Sequence, residues 1–156
     1  MGLIDDVGAG PVGLDTAAFI YFVEEHTDYL PIVELLFAAI DAGRCSAVTS
    51  SLTLLETLVV PYRAGDFGLA ERYEALLSRG RGLRLIAMDT GLLRGAAQLR
   101  AAFRVKTPDA LQLAAALSTR CTSYVTNDRA LPPMAGLRVL QLRDYLGSRG
   151  RPRRGR

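Results

Sequence analysis

Residues 11–24 read PVGLDTAAFIYFVE, a short apolar run followed by an acidic residue and then a helical pattern. The apolar run at 11–14 predicts a buried strand, and the spacing of apolar residues at 17–24 predicts a helix. Asp15 stands at the junction between the two. The same order of short strand and helix recurs along the chain, so the sequence predicts repeated βα units.

The remaining apolar patterns complete this α/β reading. Strands are expected at 45–48, 83–87, 123–126 and 137–140, and a short closing helix at 142–146. Helices are expected at 31–42, 50–60, 67–78, 90–103 and 107–119, with Gly43 ending the first and Pro61 the second. Strands separated by helices of this length predict a mostly parallel sheet covered by helices on both faces.

Composition limits the class of protein. With 156 residues, 49% of them hydrophobic and 22% charged, the chain is typical of one globular domain. Cys45 and Cys121 have no histidine partners apart from His26, so we expect two reduced, buried thiols and no zinc site. No apolar stretch approaches the roughly 20 residues of a membrane span, and Asp5 and Asp6 stand where a signal peptide would be positive. We therefore expect a cytoplasmic protein without membrane contact.

Positive charge is concentrated at the end of the chain. Five arginines lie in the last eight residues: Arg149, Arg151, Arg153, Arg154 and Arg156. Without them the formal net charge would change from +3 to −2. Residues 147–156 are expected to form a disordered basic tail. Such a tail either contacts phosphate backbones or serves only for solubility.

Four carboxylates follow predicted strands or open predicted helices: Asp15, Glu56, Asp109 and Asp128. In parallel sheets, sites form beyond the carboxyl ends of the strands, where the strand order reverses. If these side chains converge there, they repel one another and require a cation. Clustered carboxylate oxygens suit Mg²⁺ or Mn²⁺, which stabilise a phosphodiester under attack. The pattern therefore indicates a metal-dependent nuclease.

Each acid also has a structural alternative. Asp15 can serve as a helix N-cap and Asp128 as a cap or turn residue. Thr53 and Glu56 have the spacing of a capping box, although the preceding serines are better placed to begin that helix. Asp109 is expected at the second helical position, where a negative charge complements the helix dipole. Taken singly, each signal is weak, and the four together carry the prediction.

Four strings resemble the signature segments of PIN domains, in order: GLDT at 13–16, TSSLTLLE at 49–56, TPDALQLA at 107–114 and VTND at 125–128. The similarity is closest to the VapC type of toxin and covers residues 13–146, including PYRAGD at 61–66. The resemblance implies a five-stranded parallel sheet flanked by helices and a Mg²⁺- or Mn²⁺-dependent endoribonuclease acting on RNA. It also implies a homodimer and a cognate VapB-type antitoxin.

The resemblance assigns roles residue by residue. The acidic quartet that binds metal and carries catalysis would be Asp15, Glu56, Asp109 and Asp128. The supporting or substrate-binding positions would be Thr16, Thr126, Asn127 and Arg129. Glu56 would either position the attacking water or help hold a second ion. Residues 1–12 depart from the common pattern and are expected to form a flexible leader.

Other classes of function remain open. A non-catalytic PIN-like module that binds RNA or protein would keep the fold, although such a module usually lacks one of the acids. A receiver-like or phosphatase domain also places aspartates beyond parallel strands. A receiver normally has paired acids before its first helix and a lysine late in the chain, and the only lysine here is Lys106. Neither GxxxxGK[ST] nor GxGxxG occurs, so nucleotide binding has little support.

Overall fold

The computed structural model describes residues 2–147. Its strands are β1 (Val12–Leu14), β2 (Ala47–Ser50), β3 (Leu83–Ile86), β4 (Ser123–Thr126) and β5 (Arg138–Gln141). The helices are α1 (Leu3–Val7), α2 (Thr16–Val23), α3 (Leu30–Asp41), α4 (Leu52–Ala64), α5 (Phe67–Arg79), α6 (Thr90–Phe103) and α7 (Thr107–Ser118). A 3₁₀ helix at Leu142–Tyr145 stands where a short closing helix was expected.

All five strands pair in parallel in the order β3-β2-β1-β4-β5. The predicted parallel α/β sheet is therefore confirmed. The chain builds outward from β1 through β2 to β3 and then returns to the other side of β1 with β4. The strand order thus reverses between β1 and β4, where Leu14 stands beside Val125. Asp15 and Thr126 follow at this position, which is where α/β sheets form their sites.

Helices cover both faces of the sheet, as predicted. Leu14 and Val125 point into a core completed by α2, α3 and α5. On the opposite face, Val48 and Tyr124 pack against Leu113 of α7. Successive residues of a strand point to opposite faces, so each short apolar strand serves two cores.

Gly13 allows α7 to pack directly on the central strand. A Cβ atom at this position would lie 2.7 Å from Cδ2 of Tyr124 and 2.9 Å from Cβ of Ala116. Any larger residue would therefore push α7 away from the sheet. Because the C-terminal end of α7 leads into β4, its N-terminal end lies at the edge where the strands end. Close packing at Gly13 thus brings the first turn of α7 to the same edge as Asp15.

Several predicted boundaries and one predicted helix position were wrong. Pro61 does not end α4, which continues to Ala64 and is capped by Gly65 in the left-handed conformation. A proline in a helix lacks one N–H donor and crowds the carbonyl four residues earlier. Here α4 continues through Pro61, whose ring is buried. Asp109 is the third residue of α7 and not the second, because Lys106 and not Thr107 is the N-cap of the helix. Strand β2 begins two residues later than expected.

The expected flexible leader is also corrected. Residues 3–7 form α1, and Leu3 and Val7 are buried against the core beside α3. Tyr145 donates a 2.6 Å hydrogen bond to Oδ2 of Asp6, which ties α1 to the far end of the chain. This segment is therefore part of the folded domain.

The predicted basic tail lies outside the described residues, apart from Gly147. Within residues 2–147, none of the helices combines the length and the apolar character needed to cross a membrane.

Candidate active site

Asp15 and Asp128 are joined through one buried hydroxyl at the switch point of the sheet. Thr126 donates a 2.7 Å hydrogen bond from Oγ1 to Oδ2 of Asp15. The same oxygen accepts a 3.0 Å bond from the backbone N–H of Asp128. We call Asp15, Thr126 and Asp128 the strand-borne half of the site. Its geometry follows from the pairing of β1 with β4.

Glu56 lies on α4 and reaches the same edge through Thr16. Oε1 of Glu56 accepts a 2.8 Å hydrogen bond from Oγ1 of Thr16. The backbone N–H of Thr16 donates a 2.7 Å bond to Oδ1 of Asp15, which is the N-cap of α2. Since Ser51 is the N-cap of α4, the capping-box alternative for Glu56 is wrong. Glu56 therefore lies within the helix, with an exposed side chain and a hydroxyl partner.

Asp109, in the first turn of α7, is electrostatically coupled to both strand-borne acids. Burial raises its pKa to about 6, with further contributions from the charges of Asp128 and Asp15. The hydrogen bond that protonated Asp109 donates to Asp128 also raises this pKa, whereas the positive charge of Lys106 lowers it. These carboxylates therefore resist simultaneous ionisation. We call Asp109 and Glu56 the helix-borne half of the site.

Asp15 shows the same conflict between burial and charge. Burial raises its pKa above the ordinary value, and the charge of Asp128 adds to this effect. The hydrogen bonds from Thr126 and from the backbone of Thr16 lower the pKa and so offset part of this rise. Polar partners therefore stabilise the charged form of Asp15 without fully offsetting the cost of burying it.

Tyr124 lies within electrostatic range of all four acids. Its side chain is buried beneath the switch point, and burial is the main cause of its raised pKa. The charges of Asp15, Asp109, Glu56 and Asp128 raise the pKa of this phenol further. The four acids, which are far apart in the sequence, therefore act electrostatically on one side chain.

The chemistry of these residues fits a hard divalent cation. Carboxylate oxygens are the ligands that Mg²⁺ and Mn²⁺ prefer, and added positive charge would relieve the repulsion between Asp109 and its acidic neighbours. Within residues 2–147, no three His, Cys, Asp or Glu side chains stand close enough to form a ready-made metal cluster. The donor set therefore fits in type and charge, while its present side-chain positions do not form a complete ligand set.

Asn127 and Arg129 do not join the acids directly. Asn127 donates from Nδ2 to the hydroxyl of Tyr21 over 3.2 Å and accepts a 3.0 Å bond from the backbone N–H of Arg143. Arg129 is exposed and lies 3.8 Å from Asp144. Asn127 therefore braces the loop that follows β4, and Arg129 stands on the surface beside it.

The sequence reading missed a buried polar network behind the acids. Gln112, only 3% exposed, lies one turn after Asp109 and hydrogen bonds to Thr53 on α4. Thr53 in turn contacts Thr49 at the end of β2. One signal was available, because Gln112 interrupts an otherwise apolar run of alanines and leucines in α7.

The fold and this acidic group together define an α/β domain with a candidate site at its strand-order reversal. The sequence model of the family described as PIN domain matches residues 12–137, and the chain belongs to that family. The predicted family is thus confirmed. No curated protein sequence gives a significant match to the chain.

Solved structures support the same fold. A toxin-antitoxin complex from Klebsiella pneumoniae matches with 20% identity and a TM-score of 0.60, covering 81% of this chain and 93% of that one. VapBC2 from Rickettsia felis, bound to a DNA fragment from its promoter, matches with 18% identity and a TM-score of 0.62, covering 83% and 97%. DNA-bound VapBC from Salmonella typhimurium matches with 22% identity and a TM-score of 0.58, covering 84% and 97%.

Proposed function

We propose that the protein is a Mg²⁺- or Mn²⁺-dependent endoribonuclease and the toxin of a toxin-antitoxin pair. The observation that supports this proposal is that Asp15 and Asp128 share the Thr126 hydroxyl at the switch point between β1 and β4, with Asp109 electrostatically coupled to both. A structural role would favour neutral or paired side chains at this place. Repelling, partly buried carboxylates cost stability, and such groups are common where a protein binds a cation or performs chemistry.

Asp15, Asp109 and Asp128 would hold the cation, with Glu56 close by. When bound, a divalent cation would offset the negative charge that develops on a phosphodiester under attack. RNA hydrolysis by direct attack of water would leave a 5′-phosphate and a 3′-hydroxyl.

The protein's own residues would fix the acids for this reaction. Thr126 holds one carboxylate oxygen of Asp15, so Asp15 cannot rotate freely. Thr16 occupies Oε1 of Glu56 and leaves the other oxygen free for an incoming water or ion. Glu56 would orient the attacking water or hold a second ion. The hydroxyl neighbours thus restrict Asp15 and Glu56 to a small range of orientations, which favours catalysis.

An antitoxin and a second copy of the chain are the proposed protein partners. The matched solved structures are described as a toxin-antitoxin complex and as VapBC complexes. Exposed apolar side chains run along α4 from beside Glu56 to the start of α5, namely Leu55, Val59, Val60, Tyr62 and Phe67. Exposed apolar area of this kind favours a protein partner. We propose that an antitoxin covers these side chains in the cytoplasm and that the toxin itself is a homodimer.

A non-catalytic PIN-like module that binds RNA or protein is the second candidate. It is favoured by one observation, namely that no three acidic side chains in residues 2–147 form a ready-made metal cluster. Such a module would bind single-stranded RNA without cleaving it, whether or not a divalent cation is present. The two candidates therefore differ in turnover and in metal dependence.

Cleavage of a single-stranded RNA during a Mn²⁺ titration tests the proposal. We expect cleavage that requires the cation and that falls by about 10³-fold or more in Asp15→Asn and in Asp109→Asn, since each removes a metal-binding charge. Both variants should remain folded in urea melts, because asparagine keeps the shape of the side chain.

Asp41→Asn is the matched control, because it makes the same chemical change at an exposed position at the end of α3. It should cleave like the wild type. Retained turnover in either site variant would reject the assignment of that acid to the site. Wild-type RNA binding without turnover at saturating Mn²⁺ would reject the nuclease and favour the binding module.

A further inference from the structure

We propose that Gln112 is a positioning residue that sets the relative placement of the two helix-borne acids, Glu56 and Asp109. The inference rests on the proposed nuclease function, since it concerns the geometry of the same site. Gln112 lies in the interior of α7 and is 3% exposed. Its hydrogen bonds go to hydroxyl and backbone groups and to none of the four acids, so its effect would pass through the helices that carry the acids.

The amide of Gln112 joins α7 to both β2 and α4. Its Oε1 accepts a 3.1 Å hydrogen bond from the backbone N–H of Ser50, at the end of β2. Its Nε2 donates a 2.7 Å bond to Oγ1 of Thr53 on α4. The Ser50 N–H can only donate, so the orientation of the amide is fixed. A single side chain therefore ties together three elements of the site.

The protons of the network can be assigned in one direction. Thr49 donates to the backbone carbonyl of Leu14 over 2.9 Å. Thr53 then donates its own proton to Thr49 over 2.7 Å and accepts from Gln112. Every strong bond has one donor and one acceptor, so the network is internally consistent. A satisfied polar network in a buried setting specifies one arrangement of its members.

The two ends of the Gln112–Thr53 bond stand beside the acids. Asp109 lies three residues before Gln112 on α7, and Glu56 lies three residues after Thr53 on α4. Residues three apart share one face of a helix. The 2.7 Å bond between Gln112 and Thr53 therefore fixes the separation of the two helix surfaces that present Asp109 and Glu56.

The second N–H of Gln112 points towards Thr16, the hydroxyl partner of Glu56. Its Nε2 lies 3.5 Å from Oγ1 of Thr16, a long contact that favours Thr16 as acceptor on this side. The proton of Thr16 is then directed outward to Glu56, which accepts it over 2.8 Å. Gln112 thus supports the orientation of Glu56 as well as the position of its helix.

Packing alone does not require an amide at this position. The neighbouring interior residues of α7 are alanines and leucines, and an apolar side chain of similar size would fill the same volume. Burying an amide gains little net stability, because its bonds replace bonds to water. What the amide adds is a directed link between helices.

Gln112→Met tests the proposal, because it keeps the length of the side chain and removes both hydrogen bonds. We expect the kcat for RNA cleavage to fall about 10–100-fold, with KM changed less than about threefold. The Mn²⁺ concentration for half-maximal cleavage should rise about tenfold. Leu113→Met is the control, since it alters the adjacent buried residue of α7, which makes no polar contact.

Thr53→Val removes the other end of the same bond and is the milder variant. Thr57→Val is its control, because Thr57 lies one turn further along α4 and its hydroxyl bonds only to helix carbonyls. If both Thr53 and Gln112 act through one link, the double variant loses no more kcat than the more damaged single variant. Losses that multiply would indicate two independent structural defects.

The outcomes separate the two proposals. If the wild type and both controls fail to cleave, the proposed nuclease function is wrong. If they cleave and Gln112→Met keeps the control's kcat and Mn²⁺ requirement, the positioning role is wrong. Should Gln112→Met fail to fold, Thr53→Val decides alone: a folded variant with unchanged kcat would overturn the inference, and a 10-fold or greater loss would support it.

Discussion

The two halves of the acidic site are built by different means. In the strand-borne half, Asp15 and Asp128 follow neighbouring parallel strands and share the hydroxyl of Thr126. In the helix-borne half, Glu56 and Asp109 stand on separate helices, joined behind the site through Gln112 and Thr53. Backbone pairing therefore fixes the first pair directly, whereas the second pair depends on how side chains pack between helices. Substitutions in the core should therefore move the strand-borne acids less than they move the helix-borne acids.

Thr126→Val breaks the link within the strand-borne half. The variant keeps the side-chain shape but leaves the N–H of Asp128 unpaired and removes the bond to Asp15. We expect kcat for RNA cleavage to fall about 10–100-fold, because the supporting partner of a proposed metal-binding acid is lost. The free energy of unfolding should fall by about 1–3 kcal/mol, measured in urea.

Thr119→Val is the control for this change. Its hydroxyl donates to the carbonyl of Ala115 at the far end of α7, away from the acids. Equal kcat values for the two valine variants would show that the Thr126 bridge does not matter for the reaction. A larger loss in Thr126→Val than in Thr53→Val would show that the strand-borne half carries more of the catalysis.

The helix-borne half should give the protein an unusual dependence of stability on pH. The pKa of Asp109 is about 6 in the folded chain and about 4 when unfolded, so the folded state holds this proton more tightly. The stabilising contribution is complete below pH ~4 and is lost as the pH rises through about 6. Because Asp109 is partly exposed, we expect a loss of only about 1 kcal/mol.

Urea unfolding of the wild type and Asp109→Asn at several pH values, with a metal chelator, measures this contribution. The variant should be more stable than the wild type near pH 7.5, and the advantage should disappear near pH 4. A difference between the two proteins that stays constant across this range would contradict the assigned repulsion at Asp109.

The strand-borne half could be predicted from sequence because its signal is local. A short apolar run followed by an acid, as at Leu14 and Asp15, identifies a strand end without knowledge of the rest of the fold. The parallel sheet, the covering helices and the position of Asp128 follow from the same pattern. Once strands are placed, the register of β1 and β4 brings these acids together.

The missed features depend on contacts between distant segments. Gln112 reads as one polar residue in an apolar helix, and only the packing of α4 against α7 gives its amide partners. Helix α1 was missed because its burial depends on contacts such as that between Asp6 and Tyr145. Pro61 resembles a helix end, and only its buried position shows that α4 continues past it.

A crystal soaked in Mn²⁺ tests the central claim most directly, because anomalous scattering locates the ion without reference to activity. We predict a peak between the two halves of the site, bound by carboxylate oxygens of Asp15, Asp109 and Asp128, each either directly at about 2.0–2.3 Å or at a longer distance through a metal-bound water. No peak at this edge of the sheet, at the Mn²⁺ concentration used in the cleavage titration, would contradict the account.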